Sequence, residues 1–126
     1  MRIRNQTIMA MLLCAAAGMA DEGKAWFQNV IQEAGFPKGS SIQFAHVSKD
    51  AIFVSNTKMT NSVVLAKDGV VLFVDEKPSL DWAHPFQLLF VPKATLKPEV
   101  LFRGSAIPSF ELRNPDGTKI KNWEKY

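Results

Sequence analysis

Two β-branched apolar runs, residues 62–66 (SVVLA) and 70–74 (VVLFV), stand on either side of Lys67-Asp68-Gly69. Neither run alternates with polar residues, so both faces of each strand need cover. Such strands sit inside a layered sheet or one curled towards a barrel. An Asp-Gly pair between β-branched runs is the strongest short hairpin signal a sequence carries. The stretch therefore predicts a central hairpin that sets 62–66 against 70–74.

The rest of the chain supports an antiparallel sheet. Ile42, Phe44 and His46 alternate with Gln43, Ala45 and Val47, and residues 51–56 (AIFVSN) follow a short Ser48-Lys49-Asp50 turn. Residues 86–91 (FQLLFV) form a further strand stopped by Pro92, apolar on both faces; a face left open there would be an apolar patch for a partner. A shorter strand covers 100–103. A last hairpin joins 110–113 (FELR) to 118–121 (TKIK) through Asn114-Pro115-Asp116-Gly117, with Pro fixing φ and Gly117 supplying positive φ. One helix is predicted, over 21–35, where Ala25, Trp26, Phe27, Val30, Ile31 and Ala34 make a single stripe. Asp21 suits its cap, Glu22 its dipole, and Gly35 with Pro37 its end. One N-terminal helix followed by six to eight strands reads as an α+β fold, the helix packed on a curved, mainly antiparallel sheet.

The first twenty residues belong to a different plan. Arg2 and Arg4 precede ten residues without charge, 8–17 (IMAMLLCAAA), and Gly18 and Ala20 supply the small-x-small end of a secretory signal. The apolar stretch falls short of the roughly 20 residues of a membrane span. The expectation is a signal at 1–20, a cut before Asp21, and one domain over 21–126, in the periplasm or secreted. Competing readings are a buried or amphipathic helix of a cytosolic protein, a retained anchor, and a lipoprotein built on Cys14, where Leu13 stands in the place of a small residue. With 126 residues, 47% of them hydrophobic, the chain has the material for a single core. Removing 1–20 takes away the one cysteine and lowers the net charge from +3 to +1. Thiol chemistry leaves with it, and a single cysteine already excludes an intramolecular disulfide framework and a multi-cysteine zinc site.

Polar residues gather in the link 75–85, which holds Asp75, Glu76, Asp81, Trp82, His84 and Pro85 between two apolar strands. Links of this kind are where scaffold-mounted sites sit. Trp82, Phe86, Asp81 and His84 are the candidate binding residues, with Trp82 as aromatic anchor. The opposing reading is a solvated loop with Trp82 and Pro85 packed down. Asp81 and His84 are close enough in sequence to converge on a divalent cation, though their spacing matches no established ligand motif. His46 with Asp50 has the makings of a general base, but Ser40, Ser41, Ser48 and Ser55 carry no nucleophile motif. Gly35, Gly39 and Gly69 are isolated and make no phosphate loop. No catalytic residue and no cofactor are therefore expected. Lys119, Lys121 and Lys125, near Trp123 and Tyr126, read as a guarded sheet edge, and nucleic acid is not an expected partner. The expected function is protein binding by a small exported envelope protein: an adaptor, inhibitor or accessory subunit. Its partner would be another envelope or secreted protein, with membrane contact only through the N-terminal segment and a homodimer as a further expectation. The alternative is a periplasmic metal-binding protein using the 75–85 loop, joined by His46.

Residues 104–117 (GSAIPSFELRNPDG) resemble the opening hairpin of extracytoplasmic thioredoxin-like redoxins, with glycine, proline, an aromatic, leucine and then an Asp-Gly turn. The helix-then-hairpins order of 21–74 is also similar to the small dimerisation domains that precede such modules. The family's Cys-x-x-Cys would follow Gly117, and the sequence runs to Tyr126 without one. The resemblance thus implies a non-catalytic or truncated relative, and carries over no activity and no site residue.

Overall fold

A computed structural model describes residues 23–56, 60–106 and 109–126. The expected signal, its competing readings, and Asp21 and Glu22 lie outside the described residues. Four strands, β1 (Ser41–Val47), β2 (Ala51–Asn56), β3 (Thr60–Leu65) and β4 (Gly69–Asp75), form one antiparallel ribbon. β1 pairs with β4 from Ser41↔Asp75 to Val47↔Gly69, and β2 with β3 from Ala51↔Leu65 to Asn56↔Thr60. Each step forward on one arm is matched by one step back on the other, and this register carries across the join without slip. Yet the two pairs lie in different sheets. Both arms turn a corner together, at 48–50 and at 66–68. Asp50 takes the left-handed conformation there, with φ 69°, which Asp tolerates better than most residues. Its N–H donates to the Leu65 carbonyl at 2.8 Å, and the Ala51 N–H donates to the Ser48 carbonyl at 3.1 Å.

This geometry corrects the predicted hairpin of 62–66 with 70–74. The two runs are successive pieces of one arm, divided between sheets. Neither Asp68 nor Gly69 adopts the positive φ that a two-residue turn requires. Gly69 is there for space: a Cβ would run into the Val91 carbonyl, with the Pro92 Cα 3.0 Å away.

The remaining strands are β5 (Phe86–Pro92), β6 (Glu99–Gly104), β7 (Phe110–Arg113) and β8 (Glu124–Lys125). They complete a five-stranded sheet of order β6-β5-β4-β1-β8 and a three-stranded sheet of order β3-β2-β7. All described pairings are antiparallel. Helix α1 (Gln28–Ala34) covers the larger sheet. The result is an α+β fold in three layers with two cores. Between the sheets lie Ala45, Val47, Ala51, Phe53, Leu65, Val71 and their neighbours. Beneath the helix, Phe27, Val30 and Ile31 meet Phe44, Val70, Leu72 and Val74. β4 feeds both cores, its side chains alternating between them, and Val70, Val71, Leu72 and Val74 retain no exposed surface. Two-sided cover therefore holds for 70–74 and for 86–91. It fails for 62–66, where Val63 and Val64 are exposed at the edge of the smaller sheet.

Helical structure is shorter than its apolar stripe. Residues 23–25 are helical, the chain turns at 26–27, and α1 restarts after Phe27, whose φ of −117° breaks the spiral without a side-chain cap. The break lets Phe27 drop fully into the core, edge-on to Phe44 at 5.3 Å. Gly35 ends the helix in the left-handed conformation, as expected. The Asn114–Gly117 turn also forms, with the Gly117 N–H donating to the Asn114 carbonyl. Both the hydroxyl and the N–H of Thr118 donate to Asp116, which holds that exposed carboxyl below its ordinary range. Its small support of the turn is present at neutral pH and is lost as the carboxyl protonates in acid. The return arm makes a single bridge, Arg113↔Lys119, in place of the expected strand over 118–121. The chain then crosses to add β8, an unanticipated element, beside β1. Among the described residues no helix is long and apolar enough to cross a membrane.

Buried positions on β4 should therefore dominate stability. Leu72→Ala is expected to cost roughly 2–5 kcal/mol in urea unfolding, and Gly69→Ala roughly 1–3 kcal/mol through forced overpacking. Val64→Ala, on the exposed edge, should change stability by about 0.5 kcal/mol or less. A Gly69→Ala loss no larger than that of Val64→Ala would contradict the packing described.

Candidate functional site

β4 and β5 pair as far as Asp75↔Phe86, and the Glu76 N–H donates to the Pro85 carbonyl at 3.1 Å. The ten residues 76–85 thus leave and return through one narrow neck. This neck brings His84 against Asp75, nine positions earlier in the chain. The His84 Nε2 lies 2.8 Å from Asp75 Oδ1, and Nδ1 lies 2.6 Å from the Trp82 carbonyl oxygen. A carbonyl and a carboxylate only accept hydrogen bonds, so both contacts are met when hydrogen sits on both ring nitrogens. The ring is buried, tilted over Phe86 at 4.5 Å between centroids, and its backbone N–H donates to the Ser105 carbonyl beyond β6. The Lys77 N–H donates back to the same Asp75 oxygen at 3.1 Å.

Glu76 is also tied into the scaffold. Gln87 Nε2 donates to Glu76 Oε2 at 2.8 Å, and Arg103 Nη2 donates to Gln87 Oε1 at 3.1 Å. Two of the three loop carboxylates therefore brace the neck, while Asp81 is exposed. Both His84 ring nitrogens are engaged within the neck, Nδ1 at the Trp82 carbonyl and Nε2 at Asp75. The structure joins His84 to Asp75 and not to Asp81. Among the described residues no three His, Cys, Asp or Glu side chains come together as a metal site.

What the braced loop displays is apolar. Trp82 is 69% exposed, the most open large hydrophobic side chain among the described residues. It borders a cleft of about 340 Å³ walled by Leu80, Ala83, Phe86 and Ala106, with Asp81 at the rim. Phe86 is buried and forms the floor, resting on Phe73 at 6.0 Å. Of the four sequence candidates, then, Trp82 and Asp81 are displayed, Phe86 supports them, and His84 positions the loop. Asp75, Ser105 and Ala106 complete the site. Asp75 was legible once residues 75 and 86 are taken as the neck of a hairpin, since that places position 84 beside it. The contribution of 105–106 depends on β6 lying next to β5 and carries no local signal.

A larger cleft, about 420 Å³, opens at the other group of candidates and is lined by His46, Asn114, Lys119, Lys121, Asn122 and Glu124. Its walls are polar and its lysines exposed, the condition of a solvated surface. His46 packs near Phe44, Phe27 and Trp26, with centroids 5.6, 6.2 and 6.4 Å away. Asp50 lies beyond the corner in the ribbon and makes no hydrogen bond to the His46 ring.

Comparison with known protein families, with curated proteins and with solved structures finds no match for this chain. The likeness of 104–117 to a redoxin hairpin rests on those residues alone. In the structure Gly104 ends β6, 110–113 form β7 and 114–117 the following turn.

The His84–Asp75 contact should act as a brace. A double-mutant cycle with His84→Ala and Asp75→Ala is expected to give a coupling of roughly 1–3 kcal/mol in unfolding free energy. His84→Ala should also speed amide exchange across 80–84 while leaving β4 protected. Additive losses, with unchanged exchange in the loop, would count against the brace.

Proposed function

We propose that this protein acts by binding another protein, through the surface built of Trp82, Asp81 and the cleft over Phe86. The observation that carries the reading is Trp82 itself, an exposed indole held beside an apolar cleft by a loop braced through Asp75, Glu76 and His84. A large side chain left in water on a braced loop is pre-organised: little conformational freedom remains to be lost when a partner covers it. Tryptophans in such settings are the residues on which binding energy concentrates. The cleft suits a single aliphatic or aromatic side chain from the partner, and Asp81 at its rim favours a basic neighbour on that chain.

The export reading places the activity in the cell envelope or outside the cell. Its support is the order of features in residues 1–20, a basic start, a short apolar core and a small-x-small end. The partner is accordingly another envelope or secreted protein, and the chain serves as an adaptor, inhibitor or accessory subunit.

The test uses the full chain produced in a secreting host, as bait in an envelope extract, with the captured protein identified and then purified. Trp82→Ala should weaken binding to that protein at least tenfold, about 1.4 kcal/mol, with circular dichroism unchanged. Asp81→Lys should weaken it further as ionic strength falls. Intact mass of the exported chain should show residues 1–20 removed. A folded Trp82→Ala variant that binds with full affinity would overturn the placement of the surface, and an uncut chain would overturn the export reading.

A further inference from the structure

A β-sheet edge is a row of unpaired backbone donors and acceptors, and folded proteins ordinarily guard it. Three of the four edges here are guarded. β6 carries Glu99 and Arg103 and is bent by a register shift opposite Leu88/Leu89. β7 is covered by the returning chain, through the Arg113↔Lys119 bridge and the Ile120 N–H, which donates to the Leu112 carbonyl at 2.7 Å. β8 is two residues long, and both are charged. β3 is different. Its six residues, TNSVVL, include no charge and no proline, and its pairing with β2 is free of bulges. Among the described residues no strand covers its outer side.

The side chains specify what kind of cover fits. Val63 shares a face with Phe53, opposite it in β2, and so points towards the inner core; Val64 points to the outer face with Ile52. They are 47% and 59% exposed. A partner lying on either face of the sheet would cover one valine and leave the other wet. Only a strand added in the plane of the sheet flanks both. A shallow groove alongside, between β3 and β6, has Leu65, Phe90 and Leu101 in its walls, with Lys67 and Glu99 beside them.

We infer that β3 pairs antiparallel with β3 of a second copy of this chain about a two-fold axis, joining two three-stranded sheets into one of six. A two-fold interface sets a surface against itself, so its strand must be self-complementary. Antiparallel pairing centred on Val63 sets Val63 against Val63 and Ser62 against Val64, and keeps inner faces with inner and outer with outer. No like charges meet, because the strand has none. The other edges fail this condition: in β6 the bulge puts Glu99 and Arg103 on opposite faces, so a two-fold cannot set one against the other. One strand per copy is a small interface, and the dimer exchanges with monomer at about micromolar concentrations or above.

The test is sedimentation velocity on the full chain from about 1 to 500 μM. The mass should rise from monomer to dimer, and Val64→Lys should move the midpoint up at least tenfold. Val100→Lys, which charges an equally exposed valine on β6, should leave it in place. In a Cys14→Ser background, Val63→Cys should cross-link two copies on oxidation and Val100→Cys should not. Should Val64→Lys fail to fold, amide exchange of the native chain decides: residues 62–65 must slow as concentration rises. A chain that stays monomeric throughout, as it would if the strand were meant for a different protein, overturns the proposal. So does a dimer that Val100→Lys disrupts as strongly, or a Val63→Cys chain that does not cross-link.

Discussion

The fold depends on a ribbon that bends without losing register. β1 with β2, and β3 with β4, are the two arms of one long hairpin, and the arms turn together so that the far half lies over one face of the near half. Side chains that point inward on both halves then face one another. Ala45 and Ala51, on either side of the corner, are fully buried and small enough to let the layers close. Asp50 accepts the left-handed backbone that the corner demands. Once the ribbon has folded, β4 has one face against the smaller sheet and the other free for α1. The second core follows from the first.

The candidate site hangs from the same strand. β4 ends at Asp75, its pairing with β5 closes a neck, and the loop beyond carries Trp82 into solvent. Of the residues read as possible metal ligands, His84 is held by Asp75 and the Trp82 carbonyl while Asp81 stays exposed; Asp75 also accepts from the Lys77 N–H, and Glu76 from Gln87. A hydrogen-bonded network of this kind supports a fixed shape when each member is satisfied and is costly when one is removed. The loop's chemistry is therefore spent on position, and what it offers outward is an apolar surface with one free carboxylate. That division of labour favours the binding reading over the metal one.

Much of the architecture was legible in sequence, because burial on two faces and period-two alternation are local signals. The helix-first order, the strands at 42–47, 51–56, 70–74 and 86–91, the Gly35 stop and the Gly117 turn all follow from such signals. The pairing of the central strands was not legible. Lys67-Asp68-Gly69 has the composition of a tight turn, but Gly69 serves the close approach of Val91, and the residues simply carry the chain between sheets. Composition cannot separate a glycine needed for its φ from one needed for its missing Cβ. The apolar run 62–66 misled in the same way, since an exposed apolar edge strand and a doubly buried strand read alike. At the site, Trp82 and Asp81 were legible as loop residues. The role of His84 was not, because its partner lies across a neck that only the β4–β5 register defines.

The most direct measurement is the cross-strand nuclear Overhauser pattern of the central ribbon in solution. The bent ribbon predicts contacts between the backbones of Phe44 and Leu72 and of Ala51 and Leu65, the pairs on either side of the corner. A local Asp-Gly hairpin would instead bring Leu65 against Leu72. Observation of the first two contacts without the third supports the account, and a Leu65–Leu72 backbone contact would contradict it.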